Sequence, residues 1–182
     1  MIALSSFDEL NKIIRKNLIE QTQLKSKDVL NALTVYGTNM NQNTSNKIFE
    51  SYNPTDSFII FELKSRTSSS NVSFTEPTNT STISYTKAYE MLVIVYGDYS
   101  QDVGNNIAAR FRTENVREKL FEQGVNLEEV QEPTSFNEFV NDTMWFRTDV
   151  SINITCKFSI NKITDDSEFE MLSNLEIINE GE

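Results

Sequence analysis

Residues 96–160 open with Tyr96-Gly97-Asp98 and close with Ser151-Ile152-Asn153-Ile154-Thr155-Cys156-Lys157-Phe158-Ser159-Ile160. In the closing run Ile152, Ile154, Cys156, Phe158 and Ile160 alternate with Ser151, Asn153, Thr155, Lys157 and Ser159. That period belongs to a strand with one face in a core, so Cys156 reads as a small core residue. Tyr96 ends a second strand starting near Ile83, whose early half carries Ser84, Thr86, Lys87 and Glu90 and whose end, Met91 to Tyr96, is wholly apolar. This predicts a strand that projects at one end and is buried on both faces at the other. Between the two strands, Ser100 as a cap, Asp102 at the positive end, and Val103, Ile107 and Phe111 on one face predict the main helix, running to a stop at Gly124. Val116 and Leu120 leave that stripe near Thr113 to Asn115, which predicts a kink or two abutting helices. Val125 to Val130 reads as a short strand. Pro133 to Val140 reads as a single helical turn, before Asn141-Asp142-Thr143-Met144-Trp145 opens the last long strand.

Towards the N-terminus, Ser6-Phe7-Asp8-Glu9 has the capping-box form and precedes Leu10, Ile13, Ile14 and Leu18, predicting a helix from about Phe7 to Glu20. Ser26 to Tyr36 reads as a short helix, although Val35-Tyr36-Gly37 equally suits a strand end. Phe58-Ile59-Ile60-Phe61-Glu62-Leu63 is short, aromatic and β-branched, and is expected to be the first sheet strand. The polar stretch from Lys64 through Asn79 has too little apolar content to pack on its own. It reads either as a disordered surface loop or as the arm of a long hairpin that orders against a neighbouring subunit, mobile over Ser65 to Thr82 in the monomer. The fold class is therefore α+β: one domain over 1–182, a mostly antiparallel sheet with helices packed on one face and a long protruding hairpin or loop.

The 182 residues suffice for a single domain with a real core. A formal net charge of -11, from 27 acidic and 16 basic residues, argues against affinity for nucleic acid, which needs clustered Lys and Arg. The acidic excess from Asp165 to Glu182 reads as a solvated tail. The start of the chain lacks a basic region and a sustained apolar run, so neither export nor membrane spanning is expected. A single cysteine rules out an intrachain disulfide and a cysteine-cluster zinc site.

Histidine is absent, which removes the usual general base near neutral pH and the Ser-His and Cys-His nucleophile pairs. Glu128 with Glu129 and Asp165 with Asp166 are adjacent in sequence, but adjacency on a strand sends carboxylates to opposite faces. Asp165-Asp166-Ser167-Glu168 lacks the twelve-position calcium loop, and no glycines fall into a nucleotide-binding spacing. Catalytic, cofactor and metal sites are accordingly none. Arg110, Arg112, Arg117 and Lys119 form a basic run on the main helix of an acidic chain, readable as a solvated face or as a contact for an acidic neighbouring copy. Trp145, Arg147 and Asp149 alternate on one strand face, either as an exposed cluster of interface-enriched types or with Trp145 capping the core edge. Arg66 and Phe74, in the polar arm, complete the candidate subunit or tube contacts.

The order of these elements resembles the tail terminator, or neck terminator, proteins of tailed bacteriophages. The resemblance rests on Tyr96-Gly97-Asp98 and its following helix, Gly124-Val125-Asn126-Leu127-Glu128-Glu129-Val130, and the run from Phe139-Val140-Asn141-Asp142 to Asp149. It implies a non-enzymatic virion protein, assembled in the host cytoplasm, forming a ring, usually sixfold, that caps the tail tube, ends its polymerisation and joins the tail to the head. The implied partners are other copies of itself, the tail tube protein and the head completion or connector protein, with DNA passing through the bore without specific binding. An acidic bore would repel the passing genome. The alternatives are a head completion, neck or tube protein of the same particle, or an acidic adaptor outside any virion.

Overall fold

The structure, a computed structural model, describes residues 2–32, 48–66, 72–75 and 82–161. The expected acidic tail and most of the polar arm therefore lie outside the described residues.

Helix α1 (Phe7–Thr22) starts as the capping signal demands. Ser6 Oγ accepts from the Glu9 amide at 3.2 Å, while the Glu9 carboxylate reaches one residue further back than expected, to the Ser5 amide at 2.7 Å. Ser26 to Asn31 does not take the expected helical form: a single 3-10 turn over Ser26–Asp28 leads into a short strand, β1 (Val29–Asn31), and residues 33–36 of that expectation lie outside the described residues. The cause is tertiary. Arg15 on α1 donates to the carbonyl oxygens of Ser26 and Val29, and β1 pairs in parallel with β2 (Phe58–Ser65).

The remaining strands are β3 (Val72–Thr75), β4 (Thr82–Tyr96), β5 (Val125–Val130), β6 (Thr134–Val140) and β7 (Thr143–Asn161). They make a seven-stranded sheet in the order β1-β2-β4-β7-β5, antiparallel except at β1. Its spine is the pair β4 and β7, in register from Thr82 opposite Asn161 to Tyr96 opposite Arg147. Fifteen residues of β4 take part, a ribbon of about 50 Å at strand rise. β2 and β3 lie end to end along the outer side of β4, and β5 and β6 along the outer side of β7.

Between β4 and β5 run α2 (Ser100–Phe111) and α3 (Glu114–Glu122), broken where the apolar stripe loses phase. Tyr99, not Ser100, holds the N-cap position of α2, and Ser100 is buried. The sharp entry depends on Gly97. Its φ is 112°, and an added Cβ would lie 2.4 Å from the Asp56 carbonyl oxygen.

Alternation along the strands sorts the apolar residues into two clusters. Ile59, Phe61, Met91, Val93, Val95, Ile152, Ile154 and Cys156 face the helices, meeting Leu10, Ile14 and Leu18 of α1, Ile107 and Phe111 of α2, and Leu120 of α3. Each such side chain stabilises the fold by roughly 1.5–3 kcal/mol relative to exposure. Leu92 and Ile94 on the other face of β4 are only half-buried. That face carries the second, aromatic cluster of Phe49, Phe58, Tyr96 and Trp145 with Ala32 and Ile60.

Pro133 to Val140 is the clearest departure from the sequence reading: residues 134–140 are a strand, not a helical turn. Asn141 and Asp142 take φ of 50° and 60° and form a two-residue connection that folds β6 back on β7, from Val140 opposite Thr143 to Thr134 opposite Asp149. Consecutive left-handed residues suit the primed hairpin turn, and Asn and Asp tolerate them. Phe136 and Phe139 stand three apart, a spacing that one helical turn would place on a single face, but in the hairpin they point to opposite faces.

Candidate functional site

The β6–β7 hairpin brings together the most conspicuous surface. Pairing of Phe139 with Met144 and of Asn137 with Phe146 places these four side chains on the side of the sheet that the helices cover further along. Here no helix among the described residues covers them. Phe139 is 74 % exposed, and Met144 and Phe146 are nearly half exposed. Apart from Asn137 the row is apolar, and every residue of β6 other than Glu138 and Val140 is exposed.

The other side of the hairpin is organised by Arg147. Its Nε and Nη2 donate to Asp149 Oδ1 and Oδ2 at 2.7 and 2.8 Å, a bidentate fork, and its Nη1 donates to Glu138 Oε2 at 2.9 Å. The same Glu138 oxygen accepts from the Tyr96 hydroxyl at 2.8 Å. The guanidinium also lies 4.8 Å from the Phe136 ring centroid and 5.8 Å from that of Tyr96. Partial burial works against its charge, but its hydrogen bonds to Asp149 and Glu138, with Tyr96 beside it, outweigh that and hold the group above its ordinary pKa. Arg147 is therefore a permanently charged pin joining β6, β7 and β4.

Trp145 does not share that surface. It is 2 % exposed and packs edge-on against Phe49 and Phe58, at centroid distances of 5.2 and 5.8 Å. An exposed Trp145-Arg147-Asp149 cluster is thus not formed; the tryptophan belongs to the second core, while Arg147 and Asp149 are half-buried. Its indole nitrogen is buried without a hydrogen-bond partner among the described residues.

The basic run on α2 and α3 is largely spent inside the molecule. Arg112 donates to the Val130 carbonyl at 3.1 Å and to Glu132 at 2.6 Å; Arg117 donates to the Leu127 carbonyl at 2.7 Å; Lys119 pairs with Glu20 of α1. Arg110 alone is exposed with no ion pair among the described residues. Arg66 pairs with Glu128 at 3.2 Å across the sheet, and Phe74 lies on β3 in register with Ile83. The sequence reading does not find the hairpin: Asn141-Asp142 tolerates the left-handed turn, but neither flanking run, Thr134 to Val140 or Thr143 to Asp149, alternates apolar and polar residues.

An open groove of about 760 Å³ beside α3 is lined by Arg112, Glu114, Arg117, Glu118, Phe121 and Leu127, among others. Two of its cations are held by backbone carbonyls, and it gathers no nucleophile beside a base. Cys156 is buried, and burial pushes its thiol up to about 12, far from a reactive thiolate. Among the described residues no group of three or more His, Cys, Asp or Glu side chains stands ready for a metal, and no helix is long and apolar enough to cross a membrane.

A family model described as Phage neck terminator protein matches residues 8–180, nearly the whole chain. The chain belongs to the phage neck terminator family. Comparison with curated proteins finds no match. Family membership makes this neck terminator a structural component of a phage virion, placed at the tail and neck among other virion proteins. Its hairpin offers exposed apolar area on one side and a fixed charge cluster on the other.

Proposed function

We propose that this neck terminator forms a ring, sixfold as the resemblance implies, that caps the tail tube, ends its polymerisation and joins the tail to the head connector. The family match over residues 8–180 carries the reading. A closed ring needs two different patches on each subunit. The exposed Arg110 on the helical side of an acidic chain supports one such patch, and the apolar row of Phe139, Met144 and Phe146 supports contact with a further virion protein. The partners are other copies of the chain, the tail tube protein and the head completion protein. DNA crosses the bore without specific binding, in keeping with a net charge of -11.

Negative-stain microscopy of the purified protein, alone and mixed with tail tubes, tests this. Rings, or tubes closed by a ring at one end, are the expected result. Monomers that leave tube ends bare and still growing would overturn the capping role.

A further inference from the structure

The edges of the sheet are treated unequally. At β1 the Val29 carbonyl is taken by Arg15 Nε at 2.9 Å. At β5 the Leu127 and Val130 carbonyls are taken by Arg117 and Arg112 at 2.7 and 3.1 Å. These guanidiniums occupy acceptors that a neighbouring strand would need, the usual protection of a sheet edge. β6 continues the edge begun by β5 and has no such protection: among the described residues, no side chain bonds to its main chain. The two-residue turn fixes which groups are open. Val140 and Thr143 flank it as a hydrogen-bonded pair, so Phe139, Asn137 and Ser135 turn their N–H and C=O groups outward.

We infer that β6 is a strand-addition site that takes an extended segment of another virion protein adjoining the ring; this rests on the neck role proposed above. A second copy is disfavoured as the donor because its β1 and β5 edges are closed by Arg15, Arg112 and Arg117, and antiparallel pairing of β6 with β6 would set two like-charged hairpin faces, each with Glu138, Asp149 and Asp142 against Arg147, side by side. The two faces of the hairpin state the chemistry of the incoming strand. Towards Phe139, Met144 and Phe146 it presents apolar side chains. Towards the other face, where Glu138 and Asp149 stand against the single cation Arg147 and Asp142 adds a further carboxylate at the tip, it presents Lys or Arg. Main-chain hydrogen bonds supply affinity and the alternating side chains supply selectivity.

The test is amide exchange of the chain in purified particles and free in solution, with Asn137→Pro and Asn137→Ala phage made in parallel. Asn137→Pro removes one outward N–H without touching the ladder to β7, whereas Asn137→Ala keeps it. The expected result is at least tenfold slower exchange at Ser135, Asn137 and Phe139 in particles, and a hundredfold loss of infectious particles for Asn137→Pro but not for Asn137→Ala. Unchanged β6 exchange in particles that contain the chain, or normal particle yield from a folded Asn137→Pro chain, would overturn strand addition and leave the neck role standing. Dimers of the free chain with β6 already protected would overturn the assignment to a different protein. Absence of the chain from particles would overturn both.

Discussion

Gly104 of α2 sits directly on Thr148 of β7: a Cβ at the glycine would lie 2.5 Å from Thr148 Cγ2. Thr148 is fully buried and its hydroxyl is 2.9 Å from that of Ser135 on β6, so this contact sets how closely α2 approaches the base of the hairpin. Gly104→Ala gains about 1 kcal/mol of helix propensity and loses about 1–3 kcal/mol to overpacking. The expected net effect is destabilisation. Adding Thr148→Ser, which deletes the offending methyl group and keeps the hydroxyl, recovers most of it. Thermal unfolding resolves the pair, at roughly 2–4 °C per kcal/mol for a chain of this size.

The tip of the hairpin gives a prediction of opposite sign. Asp142 holds φ of 60°, where glycine carries no steric cost. Asp142→Gly creates the Asn-Gly turn and is expected to stabilise by about 0.5–1 kcal/mol, while Asp142→Val costs about 1–2 kcal/mol. Denaturant midpoints of the two variants should lie on either side of the parent.

Arg147 holds two half-buried carboxylates at once. Arg147→Leu leaves Glu138 and Asp149 without their cation and is expected to cost about 1–3 kcal/mol, the range for charged hydrogen bonds that remain partly solvated. Arg147→Lys keeps the charge, loses the fork and should fall in between. Urea unfolding with Glu138→Gln in a double-mutant cycle checks that the loss runs through this contact.

Cys156 predicts alkaline behaviour. Burial raises its thiol from 9.0 to about 12, so the native state holds that proton more tightly than the unfolded chain. The contribution is complete below about pH 9 and is lost as pH rises towards 12, up to about 4 kcal/mol at ~1.4 kcal/mol per unit. Cys156→Ala should flatten the decline between pH 9 and 11 measured by denaturant unfolding. A thiol reagent at pH 8 should label the native protein far more slowly than the unfolded one.

The sequence by itself determined the elements whose signal is local. The cap at Ser6, the one-sided alternation from Ser151 to Phe158 and the phase break near Thr113 each lie within a few residues, and each appears in the structure. Tertiary structure decided the rest, because pairing and burial depend on what arrives from elsewhere. Phe136 and Phe139 suit a helix by spacing and become a strand only because β7 offers a ladder across a two-residue turn. Val29 turns extended because β2 lies beside it and Arg15 holds its carbonyl. Trp145 is core because Phe49, nearly a hundred positions earlier, covers that face of the sheet. Arg112, Arg117 and Lys119 look like one basic surface in the chain, yet folding brings two of them to the carbonyls of β5 and the third to Glu20. Periodicity is written residue by residue, whereas the partner of an edge, a ring or a charge is a property of the assembled fold.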